Sequence, residues 1–206
     1  LGLKSPMAGE VWYQQTNLWH MNEPDRHKIM RRNGVMYQSG ALWSSLTLAE
    51  NIALPLQEYT DLNQDEIKGL AYLKLALVGL VGFEEYYPAE ISGGMQKRAG
   101  LARALALDPD ILFFDEPSAG LDPVSAKLLD DLILSIQASL GTTIVVVTHD
   151  LPSLFAIGTD AIFLDSSSRT LIAQGAPKDL LKDCKNPIVQ QFLNRGEAPK
   201  NGMKSA

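Results

Sequence analysis

The hydrophobic positions fall into short β-like runs at the start of the chain, a helical stretch through its middle and two continuous apolar runs beyond residue 110. Gly9-Glu10 reads as a turn into a short strand over residues 11–15, and Asn33-Gly34 leads into a second run, Val35-Met36-Tyr37, that ends at Gln38. From residue 46 to about residue 90 the period becomes helical. Asp61, Asp65 and Glu66 stand ahead of Ile67, Leu70, Leu73 and Leu77 at spacings of three and four. Ser92 offers an N-cap to a helix marked by Met95, Leu101, Ala102, Leu105 and Ala106, which Asp108-Pro109 disfavours from continuing. The apolar runs 111–114 and 143–147 flank a helical segment over 126–140, the spacing of a βαβ unit, so both strands are expected to be parallel and buried. Residues 161–164 and 170–173 flank the polar link Ser166-Ser167-Ser168-Arg169, a hairpin, before a helical tail over 177–206 that Pro187 interrupts. Residues 196–206 read as disordered.

Composition narrows the picture without changing it. With 206 residues, 46% hydrophobic and 20% charged, the chain can bury a real core within the size of one domain. A formal charge of −6 leaves no basic footprint, so nucleic acid is not expected as a partner. Cys184 is the single cysteine, which excludes an internal disulfide framework and a cysteine-cluster zinc site and fits a reducing compartment. The most apolar long stretch, residues 70–83, is interrupted by Lys74 and falls short of the roughly 20 residues that span a bilayer, so a membrane role would come through a partner. No signal-peptide pattern opens the chain, and its start on Leu-Gly-Leu suggests a truncated N-terminus.

Chemistry concentrates at three places. Asp115-Glu116 follows the Ile-Leu-Phe-Phe run directly, so both carboxylates are expected at the carboxyl end of a parallel strand, where open sheets place their ligands. That location suits a metal at Asp115 and a water at Glu116, although Asp-Glu-Pro could equally just open the next helix. Ser92-Gly93-Gly94 combines a hydroxyl, two residues without side-chain bulk and a helix N-terminus, so backbone N–H groups can approach a phosphate; an ordinary flexible helix entry is the other reading. His149 follows the second strand and is expected at the same sheet edge, although a His-Asp pair after a strand is commonly a cap.

Taken together, Gln38, the stretch Ile91-Ser92-Gly93-Gly94-Met95-Gln96, residues 111–117, Ser118-Ala119-Gly120-Leu121-Asp122 and His149 resemble, in order and spacing, the Q-loop, signature, Walker B, D-loop and H-loop of the ABC ATPases. The resemblance implies an α/β, P-loop NTPase-like (RecA-type) fold: a mostly parallel sheet core, a helical subdomain near 41–95 and a partial antiparallel β subdomain, all within one ATPase domain. It implies ATP and Mg2+ as ligands. Asp115 would meet the metal, Gln38 would meet the metal or the attacking water and link the core to the helical subdomain, Glu116 would polarise that water, and His149 would support the γ-phosphate. Ser92, Gly93, Gly94, Met95 and Gln96, with the Asp122 loop, would face nucleotide held by a second ATPase subunit across a homodimer.

The chain departs from the family in two ways. It contains no Gly-x-x-x-x-Gly-Lys-Ser/Thr loop, so the phosphate loop is expected upstream and the 206 residues are expected to bind ATP poorly by themselves. Met95 stands where the commoner signature has glutamine. Residues 38–47 (Gln-Ser-Gly-Ala-Leu-Trp-Ser-Ser-Leu-Thr), the stretch Asn51-Ile52-Ala53-Leu54-Pro55-Leu56 and the Met95 variant are more closely similar to the ATPases of MCE-type lipid transporters. That resemblance implies phospholipid movement between bacterial membranes, an integral-membrane permease, an MCE-type lipid-binding protein, and a place at the cytoplasmic face of the inner membrane. A DNA-repair ATPase of the same fold would need a long coiled coil between Gln38 and Ser92, for which the spacing leaves no room. A catalytically silent subunit, or an ATPase serving another cargo, are the competing readings.

Overall fold

The computed structural model describes residues 2–194; the expected disorder at 196–206 lies outside the described residues. Two compact units make up the chain, divided between Val147 and Thr148.

The first unit opens with a two-stranded hairpin, β1 (Trp12–Tyr13) and β2 (Thr16–Asn17), followed by α1 (Glu23–Met30). The sequence predicts one strand over 11–15, but the chain reverses at Gln14, which takes a left-handed φ of 53°. Tyr13 then donates its hydroxyl to Asp110 at 2.7 Å, which holds that carboxyl below the usual range and raises the phenol's own pKa.

Three parallel strands form the sheet: β3 (Asn33–Met36), β4 (Ile111–Asp115) and β5 (Thr143–Val147), in the order β3-β4-β5, with Met36 beside Phe114 and Phe114 beside Val146. Between β3 and β4 lie α2 (Leu48–Tyr59), α3 (Gln64–Leu77) and α4 (Gly93–Ala104); α5 (Pro123–Leu140) crosses from β4 to β5. Each helix starts where its sequence supplies partners for the free N–H groups of the first turn. Thr47 with Glu50, and Asn63 with Glu66, form reciprocal capping boxes on α2 and α3. Ser92 caps α4, and Asp122 with Pro123 opens α5, which Gly141 closes at φ 67°. Helix α4 stops at Ala104, short of Asp108. Asp108 takes a left-handed φ of 46° and pairs at 2.5 Å with Lys74, a buried lysine on α3, tying the helical segment to the turn after α4.

Both apolar strands are parallel, as the βαβ spacing predicts, but their burial is one-sided. Gly34, Met36, Leu112 and Phe114 are buried, whereas Val145 is 42% and Val147 61% exposed. The reason is that the packed helices of this unit cover one sheet face. On that face a Cβ built at Gly34 would sit 2.2 Å from the Ala104 carbonyl oxygen and 2.7 Å from a Leu112 methyl. Gly34→Ala therefore forces β3 away from α4. We expect it to cost about 2 kcal/mol in urea unfolding, within the 1–3 kcal/mol of an overpacked core; an unchanged midpoint would mean that the close approach is not obligatory.

The second unit contains α6 (Leu151–Ile157), the antiparallel hairpin β6 (Ala161–Asp165) and β7 (Thr170–Gly175), α7 (Pro177–Asp183) and α8 (Pro187–Leu193). Its core gathers Leu151, Ala161, Leu180, Val189 and Leu193, with Phe163 edge-on to Phe192 at 5.6 Å. Pro187 does not simply interrupt the tail: it opens α8 at the first helical position, where its missing N–H costs nothing. Gln190 then stitches α8 back to α7 by donating to the carbonyls of Leu180, Leu181 and Cys184. Among the described residues no helix is long and apolar enough to cross a membrane.

Candidate functional site

Asp115 is the last residue of β4, and its exposed side chain lines a cleft of about 650 Å3 together with Gln38, Gly93, Gln96, Lys97 and Gly120. The carboxyl end of the sheet thus brings together the residue after β3, the residue closing β4 and the first turn of α4. Gln38 is exposed, two residues beyond β3 and inside a turn that Gly40 closes through its N–H to the Tyr37 carbonyl at 2.8 Å.

Glu116 is half-buried and sits in the left-handed region at φ 47°, an uncommon conformation for a residue with a side chain. Three hydrogen bonds to its backbone secure it. Its N–H donates to the Val147 carbonyl on β5 at 2.8 Å, and its carbonyl accepts from the Ala119 N–H at 3.2 Å and from the Lys97 ammonium at 3.3 Å.

At the other wall, Ser92 caps α4 by accepting from the Met95 N–H at 3.3 Å, and the exposed Gly93 presents bare backbone to the cleft. Gly94 approaches the Ser125 side chain, with 3.7 Å from a built Cβ to its Oγ. Met95 is half-buried. Gln96 reaches the cleft while its amide donates to the carbonyls of Pro88 at 2.8 Å and Ile91 at 3.4 Å.

Asp122 stands apart from the cleft wall as the cap of α5, accepting from the N–H groups of Val124 and Ser125 and, at 2.5 Å, from the Ser125 hydroxyl. These bonds, the Ser125 hydroxyl first, hold its carboxyl below the usual carboxylate range. His149 belongs to the second unit, exposed between Thr148 and Asp150; Asp150 is the residue that caps α6, accepting from the Ser153 N–H at 3.1 Å.

Lys97 and Arg103 are not singled out by the sequence motifs, yet both grip the Gln38 segment. Lys97 is buried and donates to the Gln38 carbonyl; Arg103 donates to the carbonyls of Gly40 at 3.1 Å and Ala41 at 2.5 Å. Burial pushes the Lys97 pKa down, while the Glu116 and Asp115 carboxylates push it back up. The signal was present in the sequence as two cations six apart on a helix with Gly100 midway, a spacing that puts all three on one face.

Comparison with known proteins bears on the family and the fold. The family model described as "ABC transporter" matches residues 1–119. A relative from Mycobacterium tuberculosis (strain ATCC 25618 / H37Rv), a probable ribonucleotide transport ATP-binding protein, is 41% identical over 194 residues, 94% of this chain and 53% of its own length. The chain thus spans about half the length of that relative. The intermembrane phospholipid transport system ATP-binding protein MlaF of Escherichia coli (strain K12) is 37% identical over 94% of this chain and 71% of its own. Among solved structures, a dimeric ATP-binding cassette in a post-hydrolysis state bound to ADP and Pi superposes with a TM-score of 0.74 at 29% identity, covering 85% of this chain and 76% of the other. With a family model matched over more than half of its length and a fold that superposes on a solved cassette, this chain belongs to the ABC transporter family as an ATP-binding cassette of the P-loop NTPase fold.

Proposed function

We propose that this chain is the ATP-hydrolysing subunit that energises a transporter moving phospholipid between bacterial membranes. The observation that carries the ATPase reading is the cleft at the carboxyl end of the sheet, where Asp115, Gln38 and the glycine-rich turn of α4 converge. The donor set fits Mg2+ bound with a nucleotide. Asp115 and Gln38 offer hard oxygen donors, and among the described residues no group of three or more His, Cys, Asp or Glu forms a metal cage. Mg2+ characteristically takes one or two carboxylates and completes its shell with water and phosphate oxygens. When bound, the ion supplies charge neutralisation for phosphoryl transfer.

Asp115 and Gln38 would hold that ion, and Glu116 would accept a hydrogen bond from the attacking water and orient it. His149 would support the γ-phosphate. The amides of Ser92, Gly93 and Gly94, with Met95, Gln96 and the Asp122 loop, would cover nucleotide held by a second copy of the subunit, as the dimeric state of the cassette it superposes on suggests. The 206 residues contain no Gly-x-x-x-x-Gly-Lys-Ser/Thr, so by themselves they are expected to bind ATP weakly.

The phospholipid cargo rests on the name of the MlaF relative and on the resemblance of segments 38–47 and 51–56 to the ATPases of MCE-type lipid transporters; an integral-membrane permease, an MCE-type lipid-binding protein and a place at the cytoplasmic face of the inner membrane go with it. Ribonucleotide transport, the name of the mycobacterial relative, is the second reading of cargo. The full-length gene product, purified with its permease and placed in vesicles, is expected to release phosphate from ATP only with Mg2+ and to drive transfer of a fluorescent phospholipid, in either direction, between those vesicles and acceptor vesicles. Hydrolysis that is stimulated by a ribonucleotide and indifferent to lipid would replace the cargo; absence of Mg2+-dependent hydrolysis would remove the ATPase reading.

A further inference from the structure

We propose that Lys97 is a positioning residue of the ATPase site: its buried ammonium ties the backbone of Gln38 to the backbone of Glu116, setting the two against each other from one helix. The assignment rests on the ATPase reading above and adds to it a residue that the motifs do not name.

An ammonium has three donors and no acceptor, and it is tolerated out of water only where its protons are taken. Lys97 is 7% exposed, and two of its acceptors are main-chain carbonyls far apart in sequence, Gln38 and Glu116. Neither carbonyl belongs to a strand or helix, so neither is held by a ladder; the Glu116 carbonyl shares its lysine bond only with the Ala119 N–H of the following turn, at 3.2 Å. Glu116 is itself in the left-handed region, and the carbonyl that Lys97 holds is on the far side of that residue from the N–H that β5 holds. The lysine and the Ala119 turn on one side, and the strand on the other, together fix the backbone from which the Glu116 side chain leaves.

The same helix fixes the other partner. Lys97, Gly100 and Arg103 recur at every third position of α4 and so share a face. A Cβ built at Gly100 would lie 3.0 Å from Gly40 Cα, so the loop after Gln38 rests directly on the helix. Arg103 clamps the carbonyls of Gly40 and Ala41, both at positive φ, 73° and 49°. The loop from Gln38 to Ala41 is thereby held at three carbonyls by α4, the helix whose first turn presents Gly93 to the cleft. Arg103 and Gly100 seat the loop alone; Lys97 is the member of the set that also reaches Glu116.

A side chain that only stabilised the fold would change the amount of active protein and leave the turnover of what remains. One that positions Gln38 and Glu116 changes turnover at unchanged nucleotide affinity, because displacement of reacting groups by about 1 Å can cost on the order of 100-fold. Steady-state hydrolysis of MgATP by the full-length gene product, with wild type, Lys97→Met, Lys97→Arg and Glu116→Gln compared together, tests this. Lys97→Met is expected to lower kcat by roughly 10- to 100-fold with KM moving by less than about 3-fold, and Lys97→Arg, which keeps donors for two carbonyls, to recover most of the loss. Amide exchange in residues 38–41 is expected to quicken in Lys97→Met and not in Lys97→Arg. Should Lys97→Met fail to fold, Lys97→Gln, whose amide can serve one carbonyl but carries no charge, takes its place and the same split is read. An unimpaired kcat in the neutral variant, or an arginine variant as slow as the neutral one, beside an active wild type, overturns the assignment alone. A wild type that releases no phosphate overturns the ATPase reading and this assignment with it.

Discussion

Glu116→Gln, made in the full-length gene product, is expected to lower the turnover of MgATP by about 100-fold or more while nucleotide affinity stays within about 3-fold of wild type. The substitution is nearly isosteric and leaves the backbone alone. The N–H of residue 116 still donates to the Val147 carbonyl and its carbonyl still accepts from Lys97, so the left-handed turn at φ 47° has the same supports. What disappears is a negatively charged acceptor for a water's hydrogen, worth about 100- to 10,000-fold where a base is positioned in the transition state. Asp115, one residue earlier on the edge of β4, keeps its carboxylate for the metal, which is why binding and turnover should separate. Phosphate release measured beside equilibrium binding of ATP checks the claim. Turnover within about 3-fold of wild type would take Glu116 out of the water-orienting role, and a parallel loss of binding would assign it to the nucleotide instead.

The parts of this site that the sequence made legible are those where one residue type has few physical alternatives. Ser92 before two glycines could be read as a helix entry, because a hydroxyl that caps and a backbone that lies bare are properties of those residues rather than of their surroundings. The parallel pairing of β4 and β5 followed from two continuous apolar runs with a helix-length segment between them. Asp122 was readable as a loop residue, and its capping of α5 follows from its place before Pro123. Other features depended on contacts remote in sequence. Nothing local marks Gln14 as the reversal of a hairpin, since it is neither glycine nor asparagine, and the turn is completed by pairing between Trp12 and Asn17. Lys97 looks like a solvent-facing residue of a helix until the loop after Gln38 is laid over it. The one-sided burial of β5 was also hidden, because a valine-rich strand has the same sequence whether one face or both are covered.

Asn51 shows the same dependence on remote groups in a form that can be weighed. It lies in the first turn of α2, fully buried, and all its hydrogen-bonding capacity is spent on the turn that runs from Trp43 to the Thr47 cap. Its Oδ1 accepts from the Trp43 N–H at 2.7 Å; its amide donates to the carbonyls of Trp43 at 3.1 Å, Leu46 at 3.2 Å and Thr47 at 2.9 Å. Asn51→Ala removes every one of these and leaves at least one backbone donor and one acceptor short of a partner, at about 1–3 kcal/mol for each buried group stranded. We expect a loss of about 3 kcal/mol, or roughly 6–12 °C in Tm for a chain of this size. Asn51→Asp separates shape from donation. It is almost the same size and keeps the acceptor for Trp43, but it turns a carboxylate oxygen toward three carbonyl oxygens with no hydrogen between them, so it should be at least as damaging as alanine at neutral pH. The three tryptophans, Trp12, Trp19 and Trp43, all lie in the first unit, so urea unfolding followed by their fluorescence reports on that unit alone. An aspartate variant that unfolds with wild type would show that the amide donor is dispensable and that the 43–47 turn is held by the Thr47 and Glu50 capping box instead.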